Sequence, residues 1–418
     1  MIKKIKKIFK ILGPGLITGA SDDDPSGIVT YSIAGAYNYK NFLWTPIFTL
    51  PLMYYIQEMC ARIALVTGKG LIGIIKEKFN ILLGLFLFLL VLISNSFNIY
   101  ADLYITSYLL NKILPFIPIW IISLIFSLII TILILLLPYK KIANFLKVTT
   151  IFMCSYVFLV LFIKVNWLEI IKYSLIPKIL FNYDYFIILL GILGTTISPY
   201  LFFWQAEEEI EELHVKEKEH NKAYLKKEIK YMREDTFIGM LFSNILMFFI
   251  ILTNGFILNS LGIYEITKAE NLIDVLKFGY GDLGFLFFTI AIISSTTLVI
   301  PVLAGGVAYS FCELFNIPAS LDKSVKESLP FYFLFFLIIL ISNLYFIFKI
   351  TPINALFYTA VIYGFITPIL LFYFLKIAND EKIMKEYKNN FIQNLFVYIV
   401  LSLTLISSLV LLFSIFKK

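Results

Sequence analysis

The chain has 418 residues, of which 60% are hydrophobic, 17% aromatic and only 15% charged. Average soluble proteins are about a quarter charged, so this chain has too few charges to cover a water-soluble globule. Its apolar character and its many Phe and Tyr residues also exclude intrinsic disorder. The composition therefore indicates a multi-spanning membrane protein. In such a protein the net charge of +7 reflects the orientation of the spans in the membrane. We therefore expect no nucleic-acid partner.

A helix needs about 20 apolar residues to cross the hydrocarbon core of a membrane, and eleven stretches of the sequence meet that length. No segment between them is long enough for a soluble domain, so we expect one transmembrane domain over residues 1–418. Helices 1–5 occupy about 11–164, helices 6–10 about 185–375, and an extra eleventh helix about 393–415. The predicted spans lie near 11–37, 42–67, 82–108, 116–138, 143–164, 185–205, 236–258, 283–312, 329–348, 354–375 and 393–415.

The distribution of Lys and Arg predicts how these spans are oriented. With the N-terminus in the cytoplasm, the inner segments hold 24 of the 35 basic residues and the outer segments hold 10. Because cytoplasmic loops carry the excess of Lys and Arg, we expect the N-terminus inside and the C-terminus outside. The protein is then a multi-pass protein of the cell membrane, surrounded by the lipid bilayer, and we expect it to function as a monomer.

The first predicted span is interrupted by polar residues and proline. Its apolar run passes Gly13-Pro14-Gly15 and then reaches Ser21-Asp22-Asp23-Asp24-Pro25-Ser26-Gly27. Each carboxylate at membrane depth costs roughly 3 kcal/mol, and Pro25 removes a backbone donor and disfavours helix at Asp24. We therefore expect an unwound segment that places free carbonyl oxygens beside carboxylates, which is the outline of a hard, oxygen-rich cation site.

The sixth predicted span contains a similar interruption. Pro199 follows Thr195-Thr196-Ile197-Ser198, so carbonyls near Thr195 and Thr196 lose their helical partners. The two interruptions are five spans apart, so spans 1 and 6 run in opposite directions and the halves 1–5 and 6–10 would form an inverted repeat. Paired interruptions in corresponding positions of two halves are the best indication in a sequence of a transport site near the membrane midplane.

The longest polar stretch, residues 205–235, is predicted to be cytoplasmic. Opposite charges recur three or four residues apart, as in a solvated helix, so a charged connector is the simpler interpretation. The alternative is an acidic mouth that attracts cations. His214 and His220 are six residues apart and do not share a helix face, so no metal site is expected there. The acidic residues of the alternative are Glu207, Glu208, Glu209, Glu211 and Glu212.

The polar strings around both interruptions resemble those of the NRAMP divalent-metal transporters, and more closely their NRAMP-related magnesium transporter branch. The resemblance implies an all-α membrane protein with a LeuT-type fold, a 5+5 inverted repeat and broken helices 1 and 6. It extends over most of spans 1–7. The strings that carry it are Gly13-Pro14-Gly15, Asp24-Pro25-Ser26-Gly27, Leu50-Pro51-Leu52, Gln57-Glu58-Met59-Cys60-Ala61-Arg62, Thr67-Gly68-Lys69-Gly70, Ser198-Pro199-Tyr200-Leu201-Phe202-Phe203-Trp204-Gln205, Arg233-Glu234-Asp235-Thr236 and Gly239-Met240-Leu241-Phe242-Ser243-Asn244.

The sequence departs from the transition-metal pattern of this family. The resemblance places Gly27 where that pattern has Asn, Ser198 where it has Met, and Gln205 where it has His. Asp102 is kept from the family's proton route, but Ile105 replaces its Glu, and the arginines expected in span 9 are missing. Thioether sulfur helps a site select transition metals over hard cations, so its replacement by Ser198 removes that preference.

These departures predict a transporter for Mg²⁺, with Mn²⁺ as a second substrate. Mg²⁺ prefers octahedral oxygen coordination and releases water reluctantly, which suits an enlarged cavity. Since most of the titratable route is missing, we expect uptake that is driven by the membrane potential and not coupled to protons. A proton-coupled Mn²⁺/Fe²⁺ carrier is the main alternative. An organic-solute transporter of the same fold is less favoured, because three Asp residues would repel a substrate carboxylate.

Asp24 is the predicted ion ligand, with helix capping as the alternative role. Carbonyls near Ser21 and Thr195 are expected to bind the ion or its water. Asp22 and Asp23 either line the vestibule or cap the second half-helix. The residues expected to line the cavity are Gly27, Ser198, Tyr200, Asp22, Asp23, Asp102, Asn98 and Gln205.

Two further groups of polar residues are predicted to lie at membrane depth. Asp102 shares one helix face with Asn95 and Asn98, either to line the cavity or to form hydrogen bonds between helices. Glu58 and Arg62 have the i, i+4 spacing and order that favour an ion pair, which predicts a structural or gating pair. No motif for zinc hydrolysis or phosphate binding is found, so we expect neither an enzyme nor a resident cofactor. The bound ion would be the transported Mg²⁺ or Mn²⁺.

Overall fold

The computed structural model describes residues 13–136, 154–215, 222–321 and 323–416, with side chains described up to residue 410 except at 214, 215 and 222. The helices in these ranges are α1 (Pro14–Asp22), α2 (Pro25–Phe42), α3 (Thr45–Thr67), α4 (Leu71–Lys78), α5 (Ile81–Ile113), α6 (Ile119–Leu136), α7 (Ser155–Leu159), α8 (Trp167–Leu175), α9 (Tyr183–Thr196), α10 (Pro199–Val215), α11 (Lys222–Ser260), α12 (Ala269–Tyr280), α13 (Leu283–Phe315), α14 (Leu329–Ser342), α15 (Pro352–Ala378), α16 (Glu381–Met384) and α17 (Phe391–Phe416). Short 3-10 segments occupy Val160–Phe162, Asn343–Phe348 and Lys385–Tyr387.

Eight helical segments of the described chain are long and apolar enough to cross a membrane, and each corresponds to one of the predicted spans. The all-helical membrane fold predicted from the sequence is therefore confirmed. The predicted span 42–67 is the helix α3, which carries the buried charges of Glu58 and Arg62. The first half of the predicted span 143–164, residues 143–153, lies outside the described residues. The eight segments are Ile81–Ile113, Ile119–Leu136, Tyr183–Leu213, Ala223–Ser260, Leu283–Phe315, Leu329–Phe348, Pro352–Ala378 and Phe391–Val410.

Both predicted interruptions break their helices. The first span, predicted near 11–37, is divided into α1 and α2, with Asp23 and Asp24 between them. The sixth is divided into α9 and α10, with Ile197 and Ser198 between them. In each case proline is the first residue of the second half-helix, a position where its missing N–H leaves no helical hydrogen bond unmade.

The first broken helix packs closely against α11. A Cβ on Gly15 would lie 2.6 Å from the main-chain nitrogen of Thr236, and one on Gly19 would overlap the main-chain carbonyl of Gly239. Small residues permit such backbone contact between membrane helices. The start of α1 is also bound to α11, because the N–H of Gly15 donates to Asp235 Oδ2 at 2.6 Å. The position of the break is thus fixed relative to α11.

The prediction of a solvated connector over residues 205–235 is wrong for its first part. Instead of ending near residue 205, the second half of the broken helix continues as α10 to Val215. Four of its five acidic residues are buried, Glu207, Glu208, Glu209 and Glu211. Glu211 accepts a hydrogen bond from Tyr309 at 2.5 Å. Tertiary contacts with α13 override the local charge pattern here. Within the described part of this stretch, a solvated face is found at the start of α11. His214 and His220 carry no described side chains.

We expect Gly19→Ala to lower the free energy of unfolding by about 1–3 kcal/mol or more, because the added methyl group forces α1 and α11 apart. The measurement is detergent-titration unfolding of the purified protein. Gly306→Ala is the matched control, since its new Cβ would lie 3.7 Å from Phe203 Cβ in ordinary contact. We expect the control to stay within about 1 kcal/mol of wild type. Equal losses in both variants would contradict the close-packing interpretation.

Candidate metal site

The two helix breaks lie side by side in the protein interior. Tyr200, in the first turn of α10, donates from its hydroxyl to the Ser21 carbonyl at 2.7 Å. A Cβ on Gly27 would lie 3.3 Å from Thr195 Oγ1. The absence of a side chain at Gly27 therefore lets α2 approach the end of α9. The structure brings together the parts of the chain that the sequence predicts to form one site.

Asp24 is fully buried at the start of α2. Its Oδ1 accepts hydrogen bonds from Ser26 Oγ at 2.6 Å and from the Gly27 N–H at 2.7 Å. Its Oδ2 accepts a hydrogen bond from Asn98 Nδ2 of α5 at 3.0 Å. Asp24 is thus the N-cap of α2, which is the capping role considered from the sequence. Its role as an ion ligand stays a prediction.

Asp22, Asp23 and Asp102 are also fully buried. Asp22 accepts a hydrogen bond from Ser243 Oγ of α11 at 2.5 Å through Oδ2. Within the described chain, Asp22 Oδ1 and the carboxylate oxygens of Asp23 and Asp102 accept no hydrogen bond. Burial of carboxylates without donors is costly unless a cation or a proton compensates the charge. Asp24 performs the capping of α2, so the capping alternative for Asp22 and Asp23 is wrong.

The main-chain carbonyls at the breaks accept hydrogen bonds from hydroxyl groups. Ser198 Oγ donates to the Gly194 carbonyl at 2.9 Å or to the Thr195 carbonyl at 2.5 Å. Ser295 Oγ of α13 donates to the Asp23 carbonyl at 2.9 Å, and Thr367 Oγ1 of α15 lies 3.1 Å from the Ile197 carbonyl. Sequence reasoning missed Ser295, which is one of four consecutive hydroxyl residues at 294–297, and Thr367, which is a single hydroxyl between apolar residues.

The predicted polar face of α5 is occupied by hydrogen bonds between helices. Asn98 binds Asp24, and Asn95 Oδ1 accepts a hydrogen bond from Tyr363 of α15 at 2.9 Å. Asp102, on the same face, lies close enough to Asp24 for their charges to interact. Gln205 is buried six residues beyond Pro199, where its Nε2 lies 2.7 Å from Thr236 Oγ1, so it joins α10 to α11 away from the breaks.

Glu58 and Arg62 form the expected i, i+4 ion pair, with both side chains 1% exposed and 2.9 Å between Oε1 and Nε. The pair belongs to a larger network. Arg233 of α11 also contacts Glu58 Oε1 at 2.8 Å. Arg62 donates to Asn389 Oδ1 at 2.6 Å and Gln393 Nε2 donates to Glu58 Oε2 at 3.0 Å. The network joins α3, α11 and α17, and the last three partners were missed because they are distant in sequence.

The described residues contain no group of three or more His, Cys, Asp or Glu side chains arranged to hold a metal ion. A cation at the breaks would therefore bind few carboxylates and complete its shell with carbonyl, hydroxyl or water oxygens. Every hydrogen-bonding atom described above at the two breaks is an oxygen or an amide nitrogen. This donor set is hard and suits cations that prefer oxygen ligands.

Residues 15–414 match the family model described as natural resistance-associated macrophage protein-like, or Nramp. The chain belongs to the Nramp family. The family and the fold predicted from the sequence are therefore confirmed. Among its Nramp relatives is the divalent metal cation transporter MntH of Caldanaerobacter subterraneus subsp. tengcongensis, which is 20% identical over 410 residues, covering 96% of this chain and 92% of the relative.

Two solved structures support the fold of this Nramp protein. The manganese transporter of Eremococcus coleocola has a TM-score of 0.72 at 16% identity, with 95% of this chain and 85% of that chain covered. Mhp1, a nucleobase-cation-symport-1 family transporter solved in a closed conformation, has a TM-score of 0.55 at 12% identity, with 96% and 90% covered. Both similarities are similarities of the backbone fold. They agree with the predicted LeuT-type fold with its broken helices.

We expect Glu58→Gln to lower the free energy of unfolding by about 3–5 kcal/mol, because Arg62 and Arg233 lose the carboxylate that they share. Unfolding of the purified variant in a detergent titration measures the loss. Glu169→Gln is the matched control, since Glu169 forms an exposed ion pair with Lys40 at 2.8 Å. We expect no measurable change in the control. A stable Glu58→Gln variant would contradict a structural role for the network.

Proposed function

We propose that this Nramp protein transports divalent cations across the cell membrane, with Mg²⁺ as the main substrate and Mn²⁺ as a second one. The cation would bind between the two helix breaks, beside Asp24 and near the carbonyls of Ser21 and Thr195. The observation that carries the proposal is the hard donor set of carboxylate, carbonyl and hydroxyl oxygens there. The N-terminus lies in the cytoplasm in this proposal, so that uptake proceeds toward it.

The charge at the breaks supports a cation as substrate. Asp22, Asp23, Asp24 and Asp102 are all fully buried near the two breaks. Carboxylates enclosed in a medium of low dielectric constant attract a cation more strongly than they do in water. The names of the relatives agree, since one is a divalent metal cation transporter and one a manganese transporter.

The choice of Mg²⁺ over transition metals follows from Ser198 and Gly27. Ser198 supplies a hydroxyl oxygen where a thioether would favour softer ions. Gly27 places no side chain against Thr195 Oγ1, which a Cβ would approach to 3.3 Å, so that hydroxyl is left to bind a water molecule of the ion, and Mg²⁺ keeps several water molecules. Mn²⁺ also accepts oxygen ligands, and a site without sulfur therefore admits it.

The membrane potential is the proposed driving force. A divalent cation gains about 4.6 kcal/mol in crossing 100 mV toward the negative side, twice the value for one charge. The helix α14, which covers most of the predicted span 9, contains no charged residue. A proton relay through that helix has no carboxylate, histidine or basic side chain to use, which supports uptake without proton coupling.

A proton-coupled Mn²⁺/Fe²⁺ transporter is the second candidate. The observation that favours it is the buried carboxylate of Asp102, whose oxygens accept no hydrogen bond within the described chain. Such a group can bind a proton, and its proximity to Asp24 would couple that proton to the ion through charge. The two candidates differ in a measurable way, because only the second moves protons with the metal.

We expect Asp24→Asn to reduce Mg²⁺ influx into proteoliposomes at least tenfold, because the site loses its predicted charged ligand while the amide oxygen can still cap α2. Influx is measured with an internal Mg²⁺-sensitive dye under a potassium diffusion potential. Asp282→Asn is the matched control, since Asp282 is exposed at the start of α13, and we expect it to transport like wild type. Wild-type influx in a folded Asp24→Asn protein would overturn the site.

We expect Mg²⁺ influx to proceed without acidification of the vesicle interior. The measurement combines the Mg²⁺ dye with an internal pH dye in the same vesicles, at a fixed potential and with a protonophore as positive control. Asp102→Asn should leave the ratio of protons to metal ions at zero. Acidification that follows metal influx in wild type and disappears in Asp102→Asn would favour the proton-coupled candidate.

A further inference from the structure

Three main-chain carbonyls at the two breaks accept hydrogen bonds from side-chain hydroxyls. We call these hydroxyls the carbonyl caps, and they belong to Ser198, Tyr200 and Ser295. The cap on Ser21 differs from the other two because it crosses directly from one broken helix to the other. Tyr200 lies on α10, whereas Ser21 lies in the last turn of α1.

The phenol of Tyr200 is held in position by its surroundings. The side chain is 1% exposed, and its ring lies 5.6 Å from the ring of Tyr363, centroid to centroid. Within this packing its hydroxyl donates to the Ser21 carbonyl at 2.7 Å. The ring cannot turn away without disturbing α15, so the Ser21 carbonyl stays capped while the two breaks remain in contact.

A capped carbonyl is a poor direct ligand for a cation. The hydroxyl proton takes one of the two lone pairs of the oxygen and draws electron density from the other, so a cation is bound more weakly and from one side only. A cation beside the Ser21 carbonyl therefore meets the phenol oxygen. This neutral oxygen is no stronger a ligand than a water molecule. Mg²⁺ tolerates this arrangement because it retains water. An ion that binds by losing water gains less from such a site.

We infer that Tyr200 is a specificity-determining residue, which keeps the bound cation hydrated by occupying the Ser21 carbonyl. This inference rests on the proposed function, in which the transported ion binds between the breaks. Removal of the hydroxyl uncovers the Ser21 carbonyl as an inner-sphere ligand. The change favours Mn²⁺ over Mg²⁺, since Mg²⁺ dehydrates reluctantly.

The test is Tyr200→Phe in proteoliposomes, with Mg²⁺ and Mn²⁺ influx measured separately under the same potential. We expect the ratio of Mn²⁺ to Mg²⁺ influx to rise about fivefold, the size of effect that one hydrogen bond produces. Tyr280→Phe is the matched control. It removes a tyrosine hydroxyl that also donates to a main-chain carbonyl, that of Ser155 at 2.8 Å, but lies outside the two breaks, so its ratio should equal that of wild type.

A second readout counts the water molecules on the bound ion. Pulsed electron paramagnetic resonance of Mn²⁺ in deuterated buffer should show one fewer inner-sphere water in Tyr200→Phe than in wild type. A loss of packing alone would not change that number. If Tyr200→Phe is not stable, the wild-type protein still provides a test, since Mn²⁺ bound without any water ligand would overturn the inference.

The outcomes separate the inference from the proposed function. If wild type transports both ions and Tyr200→Phe has an unchanged ratio, the inference fails while the proposed function stands. Equal reduction of both fluxes would mean that Tyr200 supports the fold or binds the ion directly, which also overturns the inference. If wild type transports neither ion, the proposed function fails and the inference fails with it.

Discussion

The structure depends on one constraint, namely that a main-chain polar group in the membrane interior must find a partner within the protein. Pro25 and Pro199 interrupt two helices at that depth and so release carbonyls from helical hydrogen bonds. Hydroxyls from α10 and α13 bind released oxygens. Because these partners come from other helices, the bundle must be assembled around the breaks, and the polar centre determines how the helices are arranged.

The same arrangement gives the centre its chemical character. Hydroxyl groups satisfy carbonyls without adding charge, so the buried carboxylates of Asp22, Asp23 and Asp102 dominate the local field. A bundle interior with this excess of negative charge is stabilised by a cation or by protons. Selectivity then depends on how much water the ion keeps, because the available protein ligands are few.

The sequence was sufficient to locate both breaks, since proline beside carboxylates or hydroxyls in an apolar span is a local signal. It was also sufficient for the Glu58–Arg62 pair, because i, i+4 spacing places both side chains on one face. It did not predict the burial of Glu207 and Glu208 or the hydroxyl of Ser295. Those depend on which helices become neighbours, and charge periodicity along one helix contains no information about tertiary contacts.

The hydrogen bond between Gly15 and Asp235 joins residues separated by 220 positions. During synthesis, the first helix therefore enters the bilayer long before its partner exists. Three carboxylates disfavour its insertion by roughly 3 kcal/mol each, and the close contact with Gly239 forms only after α11 has been made. The first span therefore cannot reach its final packing until more than half of the chain has been synthesised. Until then it must be shielded by the insertion machinery or lie at the membrane surface.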